Sequence, residues 1–179
     1  PDITERQVRA IISAAVVATE EGYQPLPEIM IPLVVNVREI RLVSEIIDRG
    51  IQAVMKEKSL SIRYKIGTMM ETPRACLGAD RLAKDVEFMS FGTNDLTQMT
   101  FGFSRDDMGK FLPFYLQEGV LLENPLSSFD IEGVGELVAI GTSRGRHANA
   151  RLKVGVCGEH GGDPVGIEFF HKIGLDYVS

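Results

Sequence analysis

The sequence predicts an α/β protein built on a parallel sheet, and three observations carry that prediction. Short apolar runs alternate along the chain with segments of helical period. Helix start signals (Asn36, Thr72 with Pro73, Asp163 with Pro164) and stop signals (Gly22, Gly50, Gly174) punctuate the alternation. The 179 residues are 44% hydrophobic, enough for one globular unit with a real core. Parallel strands joined by right-handed helical crossovers leave two architectures, a doubly wound sheet or part of a (β/α)8 barrel. About five strand-helix units are readable, too few to close a barrel.

In order along the chain, "ITERQVRAIISAAVVATEEG" is an opening helix closed by Gly22, and "EIMIPLVV" reads as a strand buried on both faces, broken only by Pro32. "NVREIRLVSEIIDRG" places Val37, Ile40, Val43 and Ile47 at helical spacing behind the cap Asn36, with Gly50 as its stop. "YKIGTMME" followed by "TPRACLGADRLAKD" is the second unit, with Pro73 at a first helical position where its missing N–H costs nothing. "VEFMSFG" running into "TNDLTQMTFGF" is the third. The polar, glycine-punctuated stretch from Ser104 to about Asp130 carries a short helix and no strand. "GVGELVAIGTSRGR" is a helix, "LKVGVCG" a strand, "DPVGIEFFHKIG" a helix and "LDYVS" the start of another strand. The chain starts without methionine and stops on an apolar run, as expected of a piece of something longer.

A formal charge of −6 and a pI near 5.1 argue against nucleic-acid and anionic-membrane surfaces. No apolar run approaches the roughly 20 residues that span a bilayer, and no basic-then-apolar leader opens the chain. Two cysteines make no disulfide framework, which points to a reducing compartment, cytoplasmic or organellar.

In either architecture ligands sit at the carboxyl ends of the strands. That edge carries Glu71, then Gly92, Thr93, Asn94 and Asp95, then Cys157 to Gly162. Glu71 and Asp95 end consecutive strands and could share one hard cation such as Mg²⁺, or could simply be acids favoured at helix N-termini. Asn94 could bind a substrate oxyanion or cap the helix that starts there. Cys157, followed by "GEHGGDP", is accessible enough to act as proton donor or nucleophile, whereas Cys76 reads as a small buried hydrophobe. His160 lies three residues beyond Cys157, a spacing that rarely aligns a Cys-His dyad, and His147 and His171 read as surface residues. The histidines and cysteines show no zinc-ligand spacing. Arg105, in "FGFSRDD", could clamp a phosphate or stand free in a loop.

The stretches "GTMMETPRA", "FMSFGTNDLTQMTFGFSRDD" and "KVGVCGEHGGDP" together resemble the phosphoenolpyruvate/pyruvate-binding barrel of the pyruvate, phosphate dikinase family of PEP-utilising enzymes. The related phosphotransferase-system enzyme I and PEP synthase share the "GTNDLTQ" theme. The resemblance implies that residues 1–179 are the C-terminal part of a (β/α)8 TIM barrel within a larger enzyme. It implies that Glu71 and Asp95 hold Mg²⁺, that Glu71, Gly92, Thr93, Asn94, Asp95 and Arg105 contact substrate, and that Cys157 is the general acid/base at the methyl carbon. In such a phosphotransferase a phosphohistidine on a second domain carries phosphate from an ATP-grasp domain to pyruvate. Overall, ATP, phosphate and pyruvate become AMP, diphosphate and PEP. Thr72 departs from the family, which more often has an apolar β-branched residue there. The phosphohistidine motif, the ATP-grasp domain and the first barrel strands have no counterpart here, so the chain alone is expected to transfer no phosphate. As an alternative it would serve as a binding or dimerisation module; its open strand edges predict a homo-oligomer.

Overall fold

The strand "FMSFG" is buried at every position, so both of its faces must be covered, and the rest of the fold follows from how they are. In the computed structural model, which describes residues 2–179, the elements run α1 (Asp2–Glu20), β1 (Glu28–Ile31), α2 (Val37–Lys58), β2 (Lys65–Met70), α3 (Pro73–Leu77), α4 (Ala79–Leu82), β3 (Phe88–Gly92) and α5 (Thr93–Phe101). They continue with α6 (Arg105–Gln117), a π turn (Ile131–Gly135), α7 (Glu136–Ala148), β4 (Lys153–Cys157), a 3₁₀ turn (Glu159–Gly162), α8 (Pro164–Lys172) and β5 (Tyr177–Val178). The described residues form one five-stranded, all-parallel sheet in the order β1-β2-β3-β4-β5. A doubly wound sheet reverses its order at a switch point; this one does not.

Sequential order with one crossover hand puts the helices on a single face of the sheet. Against that face Ile29, Ile31, Ile66, Met70, Met89, Phe91, Val154 and Val156 pack with Ile40, Ile47, Ile51 and Val138 from the helices. The opposite face carries the alternate residues, and it is concave. Glu28 of β1 meets Lys153 of β4 at 3.3 Å although β2 and β3 lie between them. In a flat sheet those strands would stand about 14 Å apart. Lys65 of β2 joins the same carboxylate at 3.2 Å. Burial pushes the Glu28 carboxyl up, but the two lysines outweigh it and hold it below the usual range.

Most predicted boundaries hold. Asn36 caps α2 through a capping box with Glu39, Thr72 accepts from Ala75 N at 3.0 Å with Pro73 behind it, and Asp163 accepts from Val165 N. Three expectations are corrected. The strand "EIMIPLVV" ends at Ile31, because Pro32 has no N–H for a ladder, and it is buried on one face only: Ile29 and Ile31 are covered, Glu28 and Met30 are not. Gly50 does not stop α2, which runs on to Lys58 and ends at Ser59 in the left-handed region (φ 51). Gly50 is buried within the helix and faces Val8 and Glu5 of α1. The helix after Thr72 breaks at Gly78 into α3 and α4.

Gly155 is required by close approach: a Cβ there would come within 2.4 Å of the Tyr177 ring on β5. Gly155→Ala should therefore cost about 1–3 kcal/mol by overpacking. Thermal denaturation of Gly155→Ala, Tyr177→Ala and the double variant should show strong coupling, whereas simple additivity would mean that the contact does not constrain the sheet. Thr72→Ala should cost about 0.5–2 kcal/mol through the lost cap, read from the same melts.

Candidate active site

The site begins with a carboxylate out of water. Glu71 follows the last residue of β2 and is 3% exposed. Its Oε1 accepts from the backbone N–H of Leu33 at 2.6 Å, and Leu33 adopts φ 52, a left-handed conformation unusual for leucine. Its Oε2 lies over Gly92, where a Cβ would sit 2.6 Å from that oxygen. Only glycine at the end of β3 leaves room for Glu71 to stand there.

Asp95 does not end β3, as its place in the sequence suggested, but sits in the first turn of α5. Its charge is nevertheless near enough to act on Glu71. Burial first, and then the charge of Asp95, push Glu71 above the usual carboxylate range, while the Leu33 N–H pulls the other way. Two carboxylates forced together in a dry place are relieved by a proton or by a cation. No group of three or more His, Cys, Asp or Glu side chains gathers among the described residues, so an ion held here would draw its remaining ligands from substrate and water. Mg²⁺, usually held by one or two carboxylates plus substrate oxygens, fits that set.

Cys157 closes β4 and pairs in register with Gly92, which brings it to the same rim. Its Sγ lies 3.6 Å from Phe91 O. Burial chiefly, and the Glu71 charge in addition, raise its pKa, against a smaller downward pull from Ser90, so the group is a thiol at neutral pH. Ser90 Oγ is itself buried with no hydrogen-bond partner of normal geometry. Cys76 is fully buried in α3 and its thiol is pushed up to about 12 by desolvation, as a small core hydrophobe should be.

Asn94 does not cap α5. The N-cap is Gly92, without a capping side chain, and Asn94 Oδ1 instead accepts from Glu159 N at 3.1 Å, tying α5 to the turn after β4. Arg105, the first residue of α6, is exposed and points its guanidinium at Glu159 (3.5 Å), flanking the rim without touching the carboxylate pair. His160 forms no dyad with Cys157. It is completely buried, with Nδ1 2.9 Å from Thr93 Oγ1 and Nε2 2.9 Å from Pro125 O. A carbonyl only accepts, so Nε2 donates to Pro125 O, while the Thr93 hydroxyl also donates to Cys157 O at 3.4 Å. His147 and His171 are exposed, as expected. Glu71, Gly92, Asp95 and Cys157 are thus gathered, Thr93 and Asn94 stand directly behind them, and Arg105 stands at the edge. Gln98, whose amide donates to Asp95 Oδ1 at 3.2 Å, was missed by the sequence reading, although its i,i+3 spacing from Asp95 was visible.

The sequence model of the PEP-utilising enzyme family, PEP-binding domain, matches residues 1–179. Among curated relatives, pyruvate, phosphate dikinase 1, chloroplastic, of Oryza sativa subsp. japonica is 54% identical over 179 residues, covering 100% of this chain and 19% of the relative. Pyruvate, phosphate dikinase 2 of Zea mays is 54% identical, with 100% and 20% covered, and pyruvate, phosphate dikinase 1, chloroplastic, of Arabidopsis thaliana 52%, with 100% and 19%. The chain therefore spans about a fifth of the length of these relatives. With its whole length matched, the chain belongs to the family of PEP-utilising enzymes, in their PEP-binding domain.

Proposed function

We propose that this chain is the C-terminal part of the PEP/pyruvate-binding (β/α)8 barrel of a pyruvate, phosphate dikinase, and that its rim is where PEP and pyruvate interconvert. The observation that carries the reading is the convergence of Glu71, Asp95 and Cys157 around Gly92 at the carboxyl edge of a parallel sheet. Sequential strand order, a concave inner face and an open apolar cleft beside β1, lined by Val8, Ile11, Ile29, Met30 and Ile31, support the barrel. The relatives' names support the reaction.

Glu71 and Asp95 hold Mg²⁺ in this reading, with Gly92, Thr93, Asn94 and Arg105 as further substrate contacts. Bound there, the ion supplies positive charge for the oxygen that becomes negative when pyruvate is converted to its enolate. The glycine at position 92 leaves room for Glu71 beside the substrate, and the uncapped first turn of α5 offers N–H groups to its oxygens. The Cys157 thiol serves the methyl carbon. In the direction that consumes PEP, the phosphoryl group passes to a histidine of another domain, Cys157 gives its proton to the methylene carbon, and the thiolate recovers a proton from solvent. In the other direction the thiolate removes that proton. A pKa raised by burial favours the donor form. The phosphohistidine and ATP-grasp domains belong to the parent chain, and the protein works as a homo-oligomer in a reducing compartment, cytoplasmic or organellar.

Binding of oxalate, which mimics the pyruvate enolate, should require Mg²⁺ and disappear in Glu71→Gln and Asp95→Asn. In the full-length protein both variants should lose the pyruvate half-reaction by about 100-fold or more while keeping ATP-dependent phosphorylation of the histidine. Oxalate binding that is indifferent to Mg²⁺ or to both substitutions would overturn the assignment. Cys157→Ala should still bind oxalate but exchange pyruvate methyl protons with D₂O about 10²–10⁴-fold more slowly by NMR. Unchanged exchange would leave Cys157 a packing residue.

A further inference from the structure

Gln98 has both ends of its amide engaged, and each partner can play only one part. Nε2 donates to Asp95 Oδ1 at 3.2 Å, and Oε1 accepts from the backbone N–H of Arg105 at 2.9 Å. A carboxylate cannot donate and a backbone N–H cannot accept, so a flipped amide would set oxygen against oxygen and N–H against N–H. The orientation is therefore fixed. The backbone of the same residue is equally committed: its carbonyl accepts from Gly102 N and Phe103 N, where the left-handed Gly102 (φ 67) ends α5 and turns the chain back. That turn is what returns Arg105 to lie over Gln98.

We infer that Gln98 is a positioning residue for a divalent-cation site: it takes one oxygen of Asp95 with a neutral donor and leaves the other for the cation. No other side chain or backbone N–H among the described residues donates to Asp95, so without Gln98 the carboxylate is free to rotate on its first-turn position. The amide also joins the rim into a ring. Asp95 is linked through Gln98 to Arg105, Arg105 to Glu159, and Glu159 through its N–H to Asn94, the neighbour of Asp95. A neutral donor suits the task. A lysine at this position would place a positive charge against the carboxylate and compete with the cation, whereas an amide orients the oxygen and leaves its charge unspent. The inference rests on Glu71 and Asp95 binding the cation, as proposed above.

The test uses the full-length protein without nucleotide, with oxalate present and Mn²⁺ as a probe read by electron paramagnetic resonance. Gln98→Met and Gln98→Leu keep the bulk of a half-buried side chain while removing donor and acceptor. Both should weaken Mn²⁺ about 10–100-fold, the range in which partners that orient metal ligands act, with little change in melting temperature. Mg²⁺ should be weakened to the same extent when it competes with the Mn²⁺ signal. Asp95→Asn should abolish Mn²⁺ binding with or without the Gln98 substitutions. If the unaltered protein binds Mn²⁺, Asp95→Asn abolishes that binding, and both Gln98 variants bind as tightly as the unaltered protein, this inference is overturned while the cation assignment stands. If the unaltered protein binds no Mn²⁺ with oxalate, both are overturned.

Discussion

The rim is organised around one costly act, the burial of the Glu71 carboxylate. A charge in a dry place is tolerated only where hydrogen bonds or opposite charge compensate it, and here the compensation is partial. One backbone N–H, from Leu33, reaches Oε1, and it does so only because Leu33 accepts a left-handed conformation. Strain of this kind persists when the surroundings determine it, and it concentrates where chains bind or react. The second carboxylate, Asp95, worsens the electrostatics instead of relieving them. The pair is arranged against its own stability unless a proton or a cation relieves it.

Around that pair the architecture is a set of ties between segments far apart in sequence. His160, beyond β4, holds the Thr93 hydroxyl at the start of α5 and the carbonyl of Pro125 in the long connection after α6. Asn94 holds the turn after β4 from the other side, and Thr93 is fully buried beneath. The start of α5 is thus gripped at consecutive residues, which restricts the backbone that the resemblance assigns to substrate. Thr72 both caps α3 and bonds to Val34 O at 3.3 Å. It steadies the strand end that carries Glu71 from the loop that also carries Leu33.

The concave face distributes its chemistry by depth. At the amino ends of the strands Glu28, Lys65 and Lys153 neutralise one another, with Lys153 also 4.8 Å over the Tyr177 ring. Phe88, in register with Lys153, lies at that same end, Ser90 lies midway, and at the carboxyl ends stand Glu71, Gly92 and Cys157. The charges with opposite partners lie at the amino ends, and the buried Glu71 without one lies at the carboxyl ends. This is the division expected of parallel strands whose carboxyl ends carry function.

Local chemistry determined much of this protein from sequence alone. Caps at Asn36, Thr72 and Asp163 are decided by hydrogen bonds within three residues, and apolar period is decided by which face is dry, so both are written in short stretches. The edge that would hold Glu71, Asp95 and Cys157 followed from parallel topology. Sequence reading went astray at Gly50, which α2 runs through, at the strand beyond Pro32, where the missing N–H ends the ladder, and at the supposed cap Asn94, whose side chain is taken by the distant Glu159 N–H. The buried His160 and the strained Leu33, bonded to Glu71, became visible only in three dimensions. A hydrogen bond across 30 to 70 residues leaves no local pattern, and only the folded chain decides which polar atoms must find one another once water is gone.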